Sequence, residues 1–174
     1  MGLGAAVTST PMPSTLNFNR AASWAALFAF LALLAAFLTM PAEAQNFRRD
    51  KLTLKTSAGA HVIEIEVAET ADQKQVGLMY RTSVPPGTGM LFPYGGAQEV
   101  TMWMKNTYSS LDMVFIKADG TVHRIEVATE PMSERIISSK GLVAAVLELG
   151  AGESKRLGLK PGDKVEHATF KVLK

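Results

Sequence analysis

Trp103, Lys105, Asn106 and Thr107 stand almost side by side in "TMWMKNTYSSLDMVFI", residues 101–116, and Asp112 interrupts the apolar half of the same stretch. An indole plane beside an ammonium, a carboxamide, a hydroxyl and a carboxylate supplies the parts of a cleft for a polar ligand. The same groups suit an acid/base site in which a carboxylate takes a proton while Lys105 or Asn106 holds an oxyanion. If residues 100–105 are extended, Val100, Met102 and Met104 point to one side and Thr101, Trp103 and Lys105 to the other. One face then goes to the core and the other becomes a pocket wall. A short loop through Asn106 and Thr107 would bring Lys105 and Asp112 to the same end of a hairpin. Two uses compete there: Asn106 and Asp112 bond loop amides while Lys105 pairs with Asp112, or the three line a cleft with Trp103. Arg81 and Glu148 complete the candidate set. Arg81 either caps the helix it ends or pairs with a carboxylate such as Glu148. Tyr94 and Tyr108 add aromatic planes of the kind that hold sugars.

No catalytic residue is assigned. G-x-S-x-G and H-E-x-x-H are missing and the chain has no cysteine, so the enzymatic alternative is a hydrolase using Asp112 or Glu148 with Lys105. The lack of cysteine also removes disulfides, thiolate metal sites and thiol nucleophiles. Met79, Met90, Met102, Met104, Met113 and Met132 offer soft thioethers to Cu(I), with His61 or His123 assisting. Met102 and Met104 fall on the face expected in the core, where methionine is a common gap-filler, and the histidines lack ligand spacing. No cofactor is implied. Lys and Arg number 18 against 16 Asp and Glu, a net charge of +2, with no clustered bases to face phosphates; nucleic acid is therefore not an expected partner. A small polar ligand, a carbohydrate among the candidates, or an envelope protein meeting an exposed edge strand remains.

These residues need elements to position them. Arg20 precedes an apolar run from Ala21 to Met40, and Ala42-Glu43-Ala44 follows. Residues 1–44 therefore read as a secretory signal peptide cleaved before Gln45, with a retained membrane anchor as the alternative and Met12 as a second candidate start. The remainder is expected outside the cytoplasm, periplasmic or extracellular, with no membrane contact after cleavage. A polar lead-in over 45–50 is followed by one domain over 51–174. "KLTLKTSAGAHVIEIEVA" predicts two strands around Ala58-Gly59, with Ile63, Ile65 and Val67 inward and Glu64 and Glu66 outward. Thr70 with Gln73 makes a capping-box pattern for a short helix over 71–80, with Val76, Met79 and Tyr80 on one face. "SVPPGTG" stops it. "MLFPYGGAQ" predicts a brief strand and a glycine loop, Asp119-Gly120 a hairpin turn, "LVAAVLEL" a strand, and "KVEHATFKV" a closing strand. Six to eight strands with one short helix give a mainly β fold, a compact antiparallel barrel or sandwich.

From about Leu52 to Phe170 the chain resembles the family called domain of unknown function 192. "VAETADQKQVGLMYR", "GMLFPY", "MWMKNT", "LD" with "FI", "VLELGAG" and "KPGD" stand in order. The resemblance implies a compact β-rich fold with a short helix, often behind a signal peptide, and no established reaction. It marks Gln75, Gly77, Leu78, Met79, Arg81, Gly89, Met90, Trp103, Met104, Lys105, Asn106, Thr107, Asp112, Glu148, Gly152 and Asp163. Tyr108-Ser109-Ser110 departs from the aliphatic residue and proline usual after Lys-Asn-Thr in that family.

Overall fold

Alternating inward and outward side chains set up the first two strands. The computed structural model describes residues 46–170, so the leader over 1–44, the candidate start at Met12 and residues 171–174 lie outside the described residues. Strand β1 (Arg48–Thr56) begins within the expected polar lead-in and pairs antiparallel with β2 (Gly59–Val67), from Arg48 opposite Val67 to Thr56 opposite Gly59. Ile63, Ile65 and Val67 are buried. Helix α1 (Ala71–Val76) starts as its sequence predicts: the Thr70 hydroxyl accepts from Gln73 N, and the Gln73 side chain accepts from Thr70 N. It ends earlier than expected because Gly77 takes φ 48° and the chain turns again at Tyr80, φ 64°. Leu78, rather than Tyr80, is consequently buried.

The α1 crossover makes β3 (Thr88–Gln98) run parallel to β2, Ile65 opposite Gly89 and Val67 opposite Leu91. A wholly antiparallel sheet is thereby excluded. "MLFPYGGAQ" belongs to this single long strand, whose register shifts between Pro93 and Gln98. Next come β4 (Thr101–Met102), β5 (Leu111–Ile116), β6 (Val122–Glu126), β7 (Ile137–Ser138), β8 (Val143–Gly150), α2 (Glu153–Arg156) and β9 (Lys164–Glu166). A 3-10 turn over Ala168–Phe170 replaces the expected end of the closing strand. The fold is mainly β. Its strands exceed the expected number because β4 and β7 are two-residue pieces forming a small separate sheet. Among the described residues no helix is long and apolar enough to cross a membrane.

Seven strands form one curled sheet in the order β6-β5-β8-β3-β2-β1-β9. Its outermost strands meet: Thr121 bridges Lys164, and Val165 N donates to Gly120 O at 2.8 Å. Inside the curl, every main strand contributes to one core, among them Leu54, Ile65, Leu91, Val114, Leu147 and Val165. A second core lies on the other face of β3, β8 and β5, where Met90, Phe92, Met113, Phe115 and Val146 pack against Leu78, Val100, Met104 and Ile137. All six residues of β5 are buried for this reason.

Asp119 fixes the β5–β6 turn by accepting from Thr121 N at 2.9 Å and Thr121 Oγ1 at 2.7 Å. Gly120 follows it at φ 80°, and a Cβ there would lie 2.5 Å from the Val165 carbonyl oxygen. Only glycine lets the two sheet edges approach so closely. Gly120→Ala is expected to lower the unfolding free energy by about 2 kcal/mol or more, read as a fall in the urea midpoint.

Candidate functional site

Asp112 and Glu148 lie on opposite faces of the sheet. Asp112 opposes Leu149, which faces the inner core, and Glu148 opposes Met113, which faces the outer one. No acid/base pair of the two can therefore form. Asp112 is 0% exposed. Its Oδ1 accepts from Ala128 N at 3.0 Å, and its Oδ2 accepts from Gly152 N and Ser154 N at 3.0 Å and from Ser154 Oγ at 2.5 Å. This carboxylate ties the loop after β6 and the start of α2 to β5. The cleft expected from Lys105, Asn106 and Asp112 does not form.

The cause is β4. It pairs with β7 instead of forming a hairpin with β5, and the chain leaves the sheet after Met102. Lys105 then turns at the surface, 3.4 Å from Glu134 and 5.5 Å from the centre of the Trp103 ring, away from Asp112. Asn106, at φ 55°, donates from Nδ2 to Tyr80 Oη at 3.0 Å, and its carbonyl accepts from Tyr80 N at 2.8 Å. Tyr80 in turn meets Tyr108 edge to face at 6.2 Å. Arg81 pairs with Glu66 and lies over the Phe47 ring; Glu148 is not its partner.

Three of the expected cleft residues do come together. Trp103, Thr107 and Glu148, with Tyr94, line a pocket of about 100 Å³ between α1 and the outer face of the sheet. Gln75, Gly77, Leu78 and Met79 complete one wall, and Phe92, Thr101 and Met102 the other. Sequence reasoning placed none of these in the cleft; Met79 and Met102 entered only as Cu(I) candidates, and Gln75, Gly77, Leu78 and Met79 sit in one of the stretches that carry the family resemblance. Gly77 allows the wall to close: a Cβ there would lie 3.0 Å from the Phe92 ring.

Glu148 forms the floor. It is only 4% exposed, and among the described residues nothing donates a hydrogen bond to its carboxyl. Burial alone pushes the group up to about 8, so it is largely protonated at neutral pH. Burial, and then the Glu148 charge, push the Tyr94 hydroxyl up to about 12. That hydroxyl donates to Met102 Sδ at 3.3 Å, while Lys74 Nζ sits 5.2 Å from the Tyr94 ring centre. At the floor, then, a neutral acid donates a hydrogen bond or, on meeting a cation, loses its proton and becomes a counter-charge.

A family model described as DUF192, uncharacterized ACR, matches residues 53–167. A crystal structure of a Sinorhizobium meliloti protein proposed to be a transcription regulator is similar, with 46% identity and a TM-score of 0.69 over 71% of this chain and 97% of that one. A Novosphingobium aromaticivorans protein of unknown function is 35% identical, also with a TM-score of 0.69, over 72% of this chain and 89% of that one. No curated protein matches.

Removing the Asp112 carboxylate strands four donors, two of them on the buried Ser154. Asp112→Ala is expected to cost about 3 kcal/mol or more of stability in urea denaturation. For Glu148 the sign is opposite to that of a paired carboxylate. Its folded-state pKa is raised, so its stabilising contribution is complete below about pH 4.5 and is lost as pH rises towards about 8. Unfolding titrations at several pH values should show a loss of at most about 1.4 kcal/mol per pH unit across that window, removed in Glu148→Gln.

Proposed function

Because the chain belongs to the DUF192 family of uncharacterized domains, to which no reaction is attached, we propose from its own pocket that it is an exported small-ligand-binding module anchored by Glu148. One observation carries this: a carboxyl without a hydrogen-bond partner among the described residues, set in a central strand, forms the floor of an open pocket. Its bonding capacity is therefore turned to whatever enters the pocket. The rim supplies Trp103, 41% exposed, and the Tyr94 ring.

Size narrows the occupant. Pockets for drug-sized ligands run to about 300–1,000 Å³, so about 100 Å³ admits only a few heavy atoms. The enclosed part is a very small ligand or the polar end of a larger one, such as the edge of a sugar ring whose body rests on Trp103. A roomier hollow of about 360 Å³ is lined by Arg49, Glu64, Glu66 and Arg81. Its acids are spent on ion pairs, Glu66 with Arg81 and Glu64 with Lys51, so it offers no buried carboxyl comparable to Glu148.

The Ala-x-Ala segment at 42–44 supports export, and with it a periplasmic or extracellular setting. A hydrolase built on Asp112 and Lys105 is not favoured, because Asp112 is saturated by loop donors and Lys105 lies beside Glu134. DNA binding is not favoured either. Arg48, Lys51, Lys55, Arg81, Arg124, Arg135, Arg156 and Lys164 each sit in an ion pair with a carboxylate, and a net charge of +2 supplies no strong basic field for phosphates.

Small polyols, sugars and amino compounds should be screened for a rise in melting temperature. A ligand present at about 100 times its Kd adds about 2.7 kcal/mol. The expected result is stabilisation and a change in Trp103 fluorescence, both absent in Glu148→Gln. Stabilisation that survives Glu148→Gln would place the ligand elsewhere and overturn the anchoring role.

A further inference from the structure

Ligand anchoring by Glu148 leaves the methionines without a role, yet the fold gathers four of them around this carboxyl. Met79 and Met102 line the pocket with it. Met90 on β3 and Met113 on β5 are its register partners from the strands on either side, and directly opposed residues of antiparallel strands project from the same face. Both are fully buried. The remaining candidates stand apart. Met132 is 51% exposed, Met104 Sδ accepts from Thr129 Oγ1 at 3.1 Å, and His123 Nε2 lies 3.3 Å from the Lys140 carbonyl oxygen.

A buried carboxyl with no donor among the described residues, beside two lining thioethers, is complementary to a narrow class of ligand. Hard divalent ions need six or more oxygen ligands or near-octahedral oxygen shells, whereas this pocket offers one carboxylate, with Gln75, Thr101 and Thr107 as its other small oxygen-bearing side chains. Among the described residues no three His, Cys, Asp or Glu side chains are grouped to hold a metal. Thioethers select soft ions such as Cu(I). Glu148 is the one acid among the lining residues, so its carboxylate offsets a single positive charge at the floor, while Lys74, also in the lining, holds its ammonium 5.2 Å from the Tyr94 ring centre. We propose that the pocket binds a soft monovalent cation, Cu(I) or its analogue Ag(I), through the Met79 and Met102 sulfurs and the Glu148 carboxylate, with the buried Met90 and Met113 flanking Glu148 behind the pocket wall. This inference rests on Glu148 being the anchoring group. The exchange is balanced: the cation enters, a bond to the carboxylate oxygen forms, and the carboxyl proton leaves to solvent with no change of oxidation state. Tyr94 Oη already donates to Met102 Sδ and so holds that sulfur at the pocket wall.

The test is anaerobic competition of the protein with the Cu(I) chelator bicinchoninate, repeated with Ag(I) by melting temperature. One equivalent of Cu(I) is expected to leave the chelator, with tighter binding as pH rises because a proton is displaced. Glu148→Gln and the pair Met79→Leu with Met102→Leu should each weaken binding at least tenfold, whereas Met132→Leu should not. Both changes nearly conserve volume, and unchanged circular dichroism separates lost binding from lost fold. No withdrawal of Cu(I), or equal weakening by Met132→Leu, overturns the inference. If Cu(I) fails while an organic ligand stabilises the protein in a Glu148-dependent way, the soft-cation inference falls and ligand anchoring stands. If neither binds, both fall.

Discussion

Burial of β5 and β8 on both faces is the constraint from which the rest of the structure follows. A strand exposed on one side can turn a polar residue towards water. These two have little such freedom, because the inner core fills the curl and the outer core covers the opposite face except at the small pocket over Glu148. Each carboxylate placed in them must find donors or remain unmet. Asp112 finds four, and through them the loops at one end of the sheet acquire fixed positions. Glu148, on the neighbouring strand and the other face, finds none among the described residues. Two acids in equivalent strands thus have opposite fates. One is structural cement, and the other is a local conflict of the kind that marks a functional position.

Much of the framework was legible in the sequence because it is specified locally. Alternation in "VIEIEV" set the inward face of β2, Thr70 and Gln73 set the start of α1, and Asp119-Gly120 set the β5–β6 turn. The site was less legible. The sidedness of residues 100–105 depends on whether β4 meets β5 or β7, and that pairing joins segments far apart in the chain. A hairpin was the natural local expectation, and it misplaced Lys105 and Asp112. Trp103, Thr107 and Glu148 lie together in the structure, although the wall that encloses them comes from α1, β3 and β4. The parallel β2–β3 pair was hidden for a similar reason, since six helical residues suffice for the crossover and leave only a weak periodic signal.

The aromatic residues divide in the same way. Tyr80 and Tyr108 stack edge to face and brace the turn at Asn106, so they serve the corner of the fold. Trp103 and Tyr94 line the pocket, each with a lysine ammonium near its ring. Composition alone counts these residues as equivalent. Their backbone settings do not, because Tyr80 sits at positive φ at the surface while Tyr94 lies in β3 beside the outer core.

Strand β1 lies between β2, which follows it immediately, and β9, near the end of the described chain, with Thr53 opposite Glu166 and Leu54 opposite Val165. The first strand of the sheet therefore waits for almost the last. Such distant pairing raises contact order and slows folding, because loop closure must precede the contacts that reward it. The complete sheet needs residues 48–56 and 164–166 together, so a chain cut before Lys164 would leave the N–H and C=O groups of Thr53–Lys55 on that edge open to another strand.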